Sequence, residues 1–225
     1  MRNKLMAGLA DCVRKPRWSW GLLGVFCLVL LVTPGNAFAT SVDVTVNTAA
    51  ISGTSGELAF DFIYGGGPSS NTVTILDFST TGTLGTNGPN SGVVTGTLPG
   101  AISLSTAGGS FFNEYLTDIT LGTSFSFLFN ATTNAPGVGS LPDAFSLFIL
   151  DPNTGLPLFT TTDPTGADSL FTDNIDGSSQ GAFSVFSAPG GESVVTVTSV
   201  PEPCTLLLMG TGLAFFRLWT RQGRS

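Results

Sequence analysis

The feature that most constrains this fold is a series of short runs in which apolar residues recur at every second position. Residues 42–46 read Val-Asp-Val-Thr-Val, and residues 125–129 read Phe-Ser-Phe-Leu-Phe. A period of two places successive side chains on opposite faces of a β-strand, so each run can bury one apolar face. Between residues 40 and 199 no segment shows the 3.6-residue spacing of an amphipathic helix. The domain is therefore predicted to be all-β.

Turn-forming residues separate these runs at intervals of about eight to twelve residues, which is typical of sandwiches and barrels. A change of apolar phase at Ile75-Leu76 indicates a bulge, and residues 144–150, apolar on both faces, should form a central strand. We expect this strand to pair with residues 156–161 through the turn at 151–155. The predicted strands cover residues 42–46, 58–64, 71–78, 92–98, 102–105, 123–131, 144–150, 156–161, 170–174, 182–186 and 193–198. The predicted fold is a two-sheet antiparallel β-sandwich, jelly-roll or immunoglobulin-like, flanked by an N-terminal signal-peptide helix and a C-terminal hydrophobic helix.

Positive charge is confined to the two ends of the chain. All eight Lys and Arg residues lie before residue 18 or after residue 216, and the chain contains no His. Residues 40–199 carry thirteen of the fifteen Asp and Glu residues, the other two being Asp11 and Glu202. No side-chain ion pair can form within 40–199, so its carboxylates must be solvated, hydrogen-bonded to N–H or hydroxyl groups, or neutralised by bound cations. The uniform negative field argues against nucleic acid and against anionic lipid headgroups as partners of this domain.

Residues 1–39 have the three parts of a secretory signal peptide. Basic residues precede an apolar run at 18–32, Pro34-Gly35 follows it, and Ala37-Phe38-Ala39 forms a cleavage site for signal peptidase. Export by the general secretion machinery and cleavage would leave Thr40 as the first residue. The alternative is an uncleaved signal anchor; the small residues Ala37 and Ala39 favour cleavage.

Residues 200–225 form a second targeting segment. Pro201-Glu202-Pro203 leads directly into an apolar run at 204–216, and Arg217, Arg221 and Arg224 follow. The two prolines set the start of a helix, the apolar run would be helical in lipid, and the arginines would remain on the cytoplasmic side. The fifteen residues 205–219 give about 22 Å of helix, less than a hydrocarbon core of about 30 Å. So short a span suits a transient anchor; the alternative is an ordinary C-terminal anchor with a basic stop.

This order of Pro-Glu-Pro, apolar run and terminal arginines resembles the PEP-CTERM sorting signal of Gram-negative bacteria. The resemblance implies that an exosortase, a membrane cysteine peptidase, processes the tail. The protein would be exported across the inner membrane, held there transiently, and passed to the cell surface or extracellular matrix. Most of residues 41–176 also resemble a recurring group of PEP-CTERM ectodomains, through stretches such as 58–64, 71–80, 110–115 and 158–164. That group has no assigned activity, so the resemblance transfers no functional residue.

The domain lacks the side chains that most hydrolases need. Residues 177–181, Gly-Ser-Ser-Gln-Gly, fit the nucleophile pattern G-x-S-x-G, but the chain has no His to serve as base and no Lys within 40–199. A glycosidase needs two carboxylates across a cleft. Among the domain's Glu residues only Glu114, beside Phe111-Phe112, lies in an aromatic setting, and it is interpreted as a strand-end residue. The protein is therefore predicted not to be an enzyme.

Calcium is the one ion that the acidic residues suggest. Asp163, Asp168, Asp173 and Asp176 lie within fourteen residues, and calcium binds oxygen ligands from flexible loops. Their spacing is not that of an EF-hand, and residues 163–166 and 176–177 also fit ordinary β-turns. The four residues are retained as calcium candidates, with solvated turn residues as the alternative. No other cofactor is predicted.

Two classes of function agree with these observations. The first is a structural or interaction protein of the cell surface or extracellular polymer, delivered by the tail. The second is a carbohydrate-binding module for extracellular polysaccharide, which a sandwich permits without implying it. Sugar-binding surfaces usually present exposed aromatic residues, but residues 40–199 contain no Trp, only Tyr64 and Tyr115 as tyrosines, and Phe residues mostly at alternating core positions. The first class is therefore favoured.

Overall fold

The structure is a computed structural model that describes residues 39–178, 182–188 and 194–200. These residues form twelve β-strands and one short 3-10 turn at Ala49–Ile51. The strands are β1 (Ala39–Asn47), β2 (Ser55–Ile63), β3 (Thr72–Thr80), β4 (Thr83–Asn87), β5 (Val94–Gly96), β6 (Ile102–Ser105), β7 (Phe112–Thr120), β8 (Ser124–Thr132), β9 (Asp143–Leu150), β10 (Phe171–Ile175), β11 (Ala182–Val185) and β12 (Val195–Ser199). The described chain is all-β, as the two-residue periodicity predicts. The two segments predicted to be helical, at the N- and C-termini, lie outside the described residues.

The strands form two antiparallel sheets of six strands each. Sheet A has the order β12-β1-β8-β3-β6-β5, and sheet B has the order β11-β10-β9-β2-β7-β4. Every neighbouring pair within either sheet is antiparallel. Antiparallel sheets can bury one face and expose the other, so the two sheets can share a single core.

Phenylalanine rings from the two sheets meet in that core. Phe60 of sheet B lies 5.7 Å from Phe127 of sheet A, measured between ring centroids. Phe129 of sheet A lies 4.9 Å from Phe145 and 5.2 Å from Phe171, both in sheet B. All five rings are at most 2% exposed. These tilted and edge-on contacts add to the free energy gained by burying the rings, and they confirm that the alternating phenylalanines of β8 form one buried face.

The chain enters and leaves the described domain at one end. Ala39 begins β1, and beside it the N–H of Val200 donates a hydrogen bond to the Ser41 carbonyl at 3.2 Å. Asn71, just before β3 at this end of sheet A, donates to the Asp143 carboxylate at the start of β9 in sheet B, at 3.1 Å. We call this the terminal end. The opposite end, which carries the loops between β1 and β2 and between β9 and β10, is the distal end.

The strand predicted at residues 156–161 is absent, and that prediction was wrong. The segment forms one bridge, between Leu150 and Pro157, and one further backbone hydrogen bond, from Leu158 N–H to Ile149 O at 2.8 Å. A proline has no N–H to extend a ladder. β9 pairs instead with β2 on one side and β10 on the other, which confirms its predicted central position.

Two strands, β4 and β7, were not predicted from the sequence. β7 is a full nine-residue strand lying between β2 and β4. Its inward positions include Asn113 and Thr117, whereas outward positions include Leu116. The apolar alternation is therefore blurred. Glu114, interpreted as a strand-end residue, lies within β7 and pairs with Asp61, so that interpretation was wrong.

The predicted bulge in the third strand is present two residues later than expected. The register between β3 and β8 shifts between Leu76 and Ser79, and Asp77 within this interval has a φ of 51°. The left-handed conformation is one that Asp tolerates better than most residues. It allows Phe78 to stay in the core at 7% exposure.

Candidate functional site

Acidic residues face each other across two neighbouring strands of sheet B. The register of β2 and β7 places Asp61 opposite Glu114 and Glu57 opposite Asp118. Successive side chains of a strand point to opposite faces of the sheet. Phe60 is buried in the shared core, so the four acidic residues, which lie on the other face of β2 and β7, point away from it. Like charges directly opposite one another destabilise a sheet. The outer face of sheet B therefore holds electrostatic repulsion that must be relieved.

The Asp61–Glu114 pair relieves it by holding a proton. Burial, followed by the charge of Glu114 and a hydrogen bond to that residue, raises the pKa of Asp61 to about 7. Burial and the charge of Glu57 also raise the pKa of Glu114, whereas the hydrogen bond with Asp61 lowers it. Asp61 is thus the carboxyl that carries the proton and donates to Glu114. Asp61 Oδ1 is enclosed and has no hydrogen-bond partner among the described residues.

The Glu57–Asp118 pair lies nearer the distal end and is more open. Burial, and then the charge of Asp118, raises the pKa of Glu57. Thr86 Oγ1 donates a hydrogen bond to Asp118 Oδ2 at 2.7 Å, which satisfies part of that carboxylate. Between the two acidic pairs lies an apolar row in which Ala59 pairs with Leu116 and Phe148. The outer face thus alternates acidic and apolar rows.

An apolar cleft of about 440 Å³ opens at the terminal end of this face. Its most exposed walls are Phe111 and Leu141, with exposures of 69% and 74%. Tyr64 supplies a third wall and donates its hydroxyl to the Gly67 carbonyl. The lining consists of Ile63, Tyr64, Gly65, Gly66, Phe111, Leu141, Pro142, Ala144 and Asn174. Concave, mostly apolar sites with a few polar groups are where small ligands usually bind.

Backbone hydrogen bonds fix the shape of the cleft. Tyr64 N–H donates to Phe111 O at 2.9 Å, and Leu141 N–H donates to Gly65 O at 3.1 Å. Gly65 N–H donates to Asp143 Oδ1 at 2.8 Å. A Cβ on Gly65 would lie 2.1 Å from the Leu141 carbonyl oxygen, so only glycine allows this close approach. The two walls are therefore held together by main-chain contacts and one carboxylate.

Asp143 anchors this end of the domain through hydrogen bonds to its carboxylate. Besides Gly65 N–H, its carboxylate accepts from Asn71 Nδ2 at 3.1 Å and from Thr106 Oγ1 at 2.9 Å. Asn71 Oδ1 in turn accepts from Thr132 Oγ1 and from Asn134 N–H, both at 2.9 Å. Hydrogen bonds of this kind satisfy a buried carboxylate that has no basic side chain to pair with. This confirms, for Asp143, the expectation that carboxylates of this domain are hydrogen-bonded to N–H and hydroxyl groups.

The cleft and the Asp61–Glu114 pair are adjacent. Ile63, in the cleft, is two residues beyond Asp61 on the same face of β2 and pairs with Phe112 and Ala144. Glu114 is likewise two residues beyond Phe112 on β7. An apolar wall, an amide and a proton-holding carboxyl pair thus form one continuous surface, and we take this surface as the candidate functional site.

Sequence reasoning found only part of this surface. It noted that Glu114 lies beside aromatic residues, but it did not place Asp61 opposite it. That pairing depends on the register of β2 with β7, and Asp61 and Glu114 lie 53 residues apart in the chain. The spacing of Glu114 and Asp118, both on the outward face of β7, is a signal that this face is acidic, but it does not identify Asp61 as the partner of Glu114.

Two of the calcium candidates, Asp163 and Asp168, accept hydrogen bonds from other residues of the distal loop. Asp163 Oδ1 accepts from Thr165 N–H and Oγ1, and its Oδ2 accepts from Ser169 N–H and Oγ, at distances of 2.6–3.1 Å. Burial alone would raise the pKa of Asp163, but these hydrogen bonds outweigh it and lower the pKa. Asp168 Oδ1 accepts from Thr161 N–H at 2.8 Å. Both residues close the loop on itself.

The other two candidates, Asp173 and Asp176, lie at and beyond β10. Asp173 is 1% exposed and pairs with Phe145 and Phe183 in the sheet. Burial raises its pKa to about 6, more than the nearby Ala182 N–H lowers it. Asp176 is exposed, and its Oδ1 accepts from Ser178 N–H at 2.8 Å. No group of three or more acidic, His or Cys side chains among the described residues is arranged to hold a metal ion. The structure therefore does not bring the four candidates together.

The residues of the two targeting signals lie almost wholly outside the described ranges. Ala37, Pro201, Glu202 and Pro203 are outside them, as are Arg217, Arg221 and Arg224. Ala39 begins β1, and Thr40 is a buried residue of that strand. Within residues 39–178, 182–188 and 194–200 there is no helix long and apolar enough to cross a membrane.

Comparisons with protein-family models, curated proteins and solved structures found no match.

Proposed function

We propose that this chain is an exported protein of the cell surface or extracellular matrix, structural or interactive in role, and that an exosortase processes its tail. The resemblance of residues 201–224 to a PEP-CTERM signal is the starting point. The observation that carries the proposal is that Ala39 and Val200 lie at the same end of the domain. Until signal peptidase cleaves after Ala39, both flanking apolar segments would have to reach the same membrane, and this arrangement permits it.

The strand order supports a jelly roll rather than an immunoglobulin-like sandwich. Four adjacent strands of sheet A follow the order β1-β8-β3-β6, and three of sheet B follow the order β2-β7-β4. These are the orders produced when an eight-stranded antiparallel ribbon is wound into two facing sheets, as in a jelly roll. β5 departs from this pattern, because it lies beside β6 in sheet A and not beside β4 in sheet B. The remaining strands, β9 to β12, extend the two sheets beside β2 and β1. The fold by itself implies no activity.

A non-catalytic role fits the carboxyl geometry. Asp61 and Glu114 lie directly opposite each other in the register of β2 and β7, with their carboxyls interacting as neighbours within one sheet. A glycosidase instead holds its two carboxyls on either side of the bond that it cleaves. The enclosed Oδ1 of Asp61 also gives a substrate water no access to one side of the pair.

Fractionation of cells tests the delivery route. The full chain should be found in the membrane during export and at the surface afterwards. A chain ending at Val200 should be exported but should reach neither place, because it lacks the sorting motif and the apolar run. Equal surface recovery of the two chains would contradict the proposal.

A second candidate function, binding of extracellular polysaccharide, is favoured by the cleft. Phe111 and Tyr64 offer aromatic faces to the C–H groups of a sugar, and Asn174 and the adjacent Asp61–Glu114 pair offer hydrogen-bonding groups for its hydroxyls. The exposure of Phe111 removes part of the objection that the domain's phenylalanines fill the core. Binding of the purified protein to matrix polysaccharide should be lost in Phe111→Ala and kept in Leu156→Ala, an exposed apolar residue at the distal end. Equal binding by both variants would exclude the cleft as the sugar site.

A further inference from the structure

Exposed apolar side chains are concentrated at the terminal end of the domain. Of the large apolar residues that the structure exposes, five lie there: Val93, Phe111, Phe112, Val138 and Leu141. We call these five residues the apolar tip. Phe111 and Phe112 are at the start of β7, and the segment with Val138 and Leu141 joins the end of β8 to the start of β9. Solvent-exposed apolar groups in one contiguous area usually mark a surface that contacts something.

Hydrogen bonds hold the backbone of the apolar tip in place. Leu141 N–H donates to Gly65 O at 3.1 Å, and Ser140 Oγ donates to Gly66 O at 3.3 Å. Ser105 N–H donates to Val93 O at 3.0 Å. The apolar side chains are therefore held outward by a fixed backbone, which lowers the entropic cost of using them for contact.

Charge is distributed in the opposite sense. The described carboxylates of Glu57, Asp118, Asp151, Asp163 and Asp168 lie towards the distal end. Towards the terminal end lie the half-buried Asp61–Glu114 pair, the hydrogen-bonded Asp143, the buried Asp173 and the exposed Asp176. The apolar tip itself contains no charged side chain, and no basic side chain lies at either end.

The apolar tip lies where the C-terminal tail leaves. Val200 is hydrogen-bonded to Ser41 at the terminal end, and the apolar run of the tail begins at Cys204. Four residues of extended chain span at most about 14 Å. When the run from Cys204 is in a bilayer, the terminal end is therefore held against the lipid surface.

We infer that the apolar tip docks on the lipid surface of the membrane that holds the tail. The inference rests on the proposed membrane anchor and adds a second contact to it. Apolar groups at the tip enter the boundary between headgroups and acyl chains, while the acidic distal end points away from the membrane. Lipid covers the cleft as long as the tail is intact, and removal of the tail uncovers it.

The experiment uses the mature full-length chain, residues 40–225, reconstituted in phosphatidylcholine vesicles that contain a lipid with a doxyl quencher on its acyl chain. Cys204, the one cysteine of residues 40–225, is replaced by Ser, and a single introduced cysteine carries a nitrobenzoxadiazole label. The label is placed by Val138→Cys at the tip or by Leu156→Cys at the distal end. We expect several-fold stronger quenching of the label at the tip.

A second variant separates docking from mere proximity. Phe111→Asp combined with Leu141→Asp changes two exposed positions, so the fold should persist, and it should abolish most of the quenching at Val138→Cys while the chain stays in the vesicles. Unchanged quenching in that variant, or equal quenching at both label positions, would overturn the inference. A label shielded from water but unquenched by lipid would show that copies of this chain cover the tip instead.

Failure of the anchor itself gives a different result. If alkaline washing releases the full chain from the vesicles, the membrane anchor is wrong, and the docking inference is wrong with it. If the chain is retained but the label at the tip is unquenched, only the docking inference fails.

Discussion

The domain should become more stable, not less, as the pH falls from 8 to 5. Asp61 is the main cause, because burial and the neighbouring Glu114 raise its pKa from 3.8 to about 7. A carboxyl with a raised pKa binds its proton more tightly in the folded protein than in the unfolded chain. The folded state is therefore penalised above pH 7, where the proton is lost, and the penalty disappears as the pH falls towards 4.

The magnitude follows from the size of the displacement. About three pH units between the folded and unfolded pKa correspond to about 4 kcal/mol at most. Side-chain relaxation and water entry reduce such penalties, so we expect a gain of at least about 1 kcal/mol between pH 8 and pH 5. For a domain of this size that gain raises the Tm by about 2–4 °C. Asp173, with a pKa raised to about 6, adds a contribution of the same sign at lower pH.

Thermal unfolding followed by circular dichroism at several pH values checks this expectation. Asp61→Asn removes the titrating group while keeping its shape, so it should raise the Tm at pH 8 and flatten the profile above pH 6. Asp43→Asn, on an exposed position of β1, is the matched control and should keep the wild-type profile. A wild-type Tm that falls steadily from pH 8 to pH 5, or an Asp61→Asn profile that matches the wild type, would refute the reasoning.

Three further expectations concern the core, the terminal end and metal ions. Phe129→Ala, which removes a fully buried ring between Phe145 and Phe171, should cost about 3–5 kcal/mol in denaturant unfolding, whereas Phe111→Ala should cost little. Asp143→Ala leaves three hydrogen-bond donors without an acceptor and should lower the free energy of unfolding by at least about 3 kcal/mol. Asp143→Asn keeps one acceptor oxygen and should lower it by less. Equal losses of stability in the two variants would contradict the role given to the carboxylate. Chelation with EDTA should leave the Tm unchanged because the Asp163 oxygens are engaged by Thr165 and Ser169, and a calcium-dependent rise in Tm would restore the calcium hypothesis.

The strands that were predicted from the sequence are those in which the apolar residues are buried and the polar residues are not. In β8 every second residue is an aromatic or small apolar side chain, and each of these is buried. β7 was not predicted because its buried face contains the polar residues Asn113 and Thr117 as well as Tyr115 and Ile119. Asn113 satisfies its amide by donating to the Phe62 carbonyl at 3.1 Å, a partner that only the folded sheet provides. The local pattern of apolar residues cannot predict that a polar residue is buried when its hydrogen-bond acceptor lies far away in the sequence.

The candidate site could not be predicted either, because it too depends on contacts between residues far apart in the sequence. The absence of Lys, Arg and His from 40–199 shows that the carboxylates need other compensation, and Asp143 and Asp163 find it in N–H and hydroxyl groups. Which carboxylates would instead face each other depends on the register between β2 and β7. That register is set by long-range packing, so Asp61 and Glu114 could be identified as acidic residues but not as a pair.

The central claim is that the tail is a sorting signal that is processed on the way to the surface. Mass spectrometry of the C-terminal peptide of protein recovered from surface material tests it most directly. The mature chain should end upstream of Arg217, and replacing Pro201-Glu202-Pro203 with alanines should keep the chain in the membrane with its tail intact through Ser225. Recovery of an intact Ser225 from wild-type surface material, or an unchanged location and mass in the alanine variant, would contradict the claim.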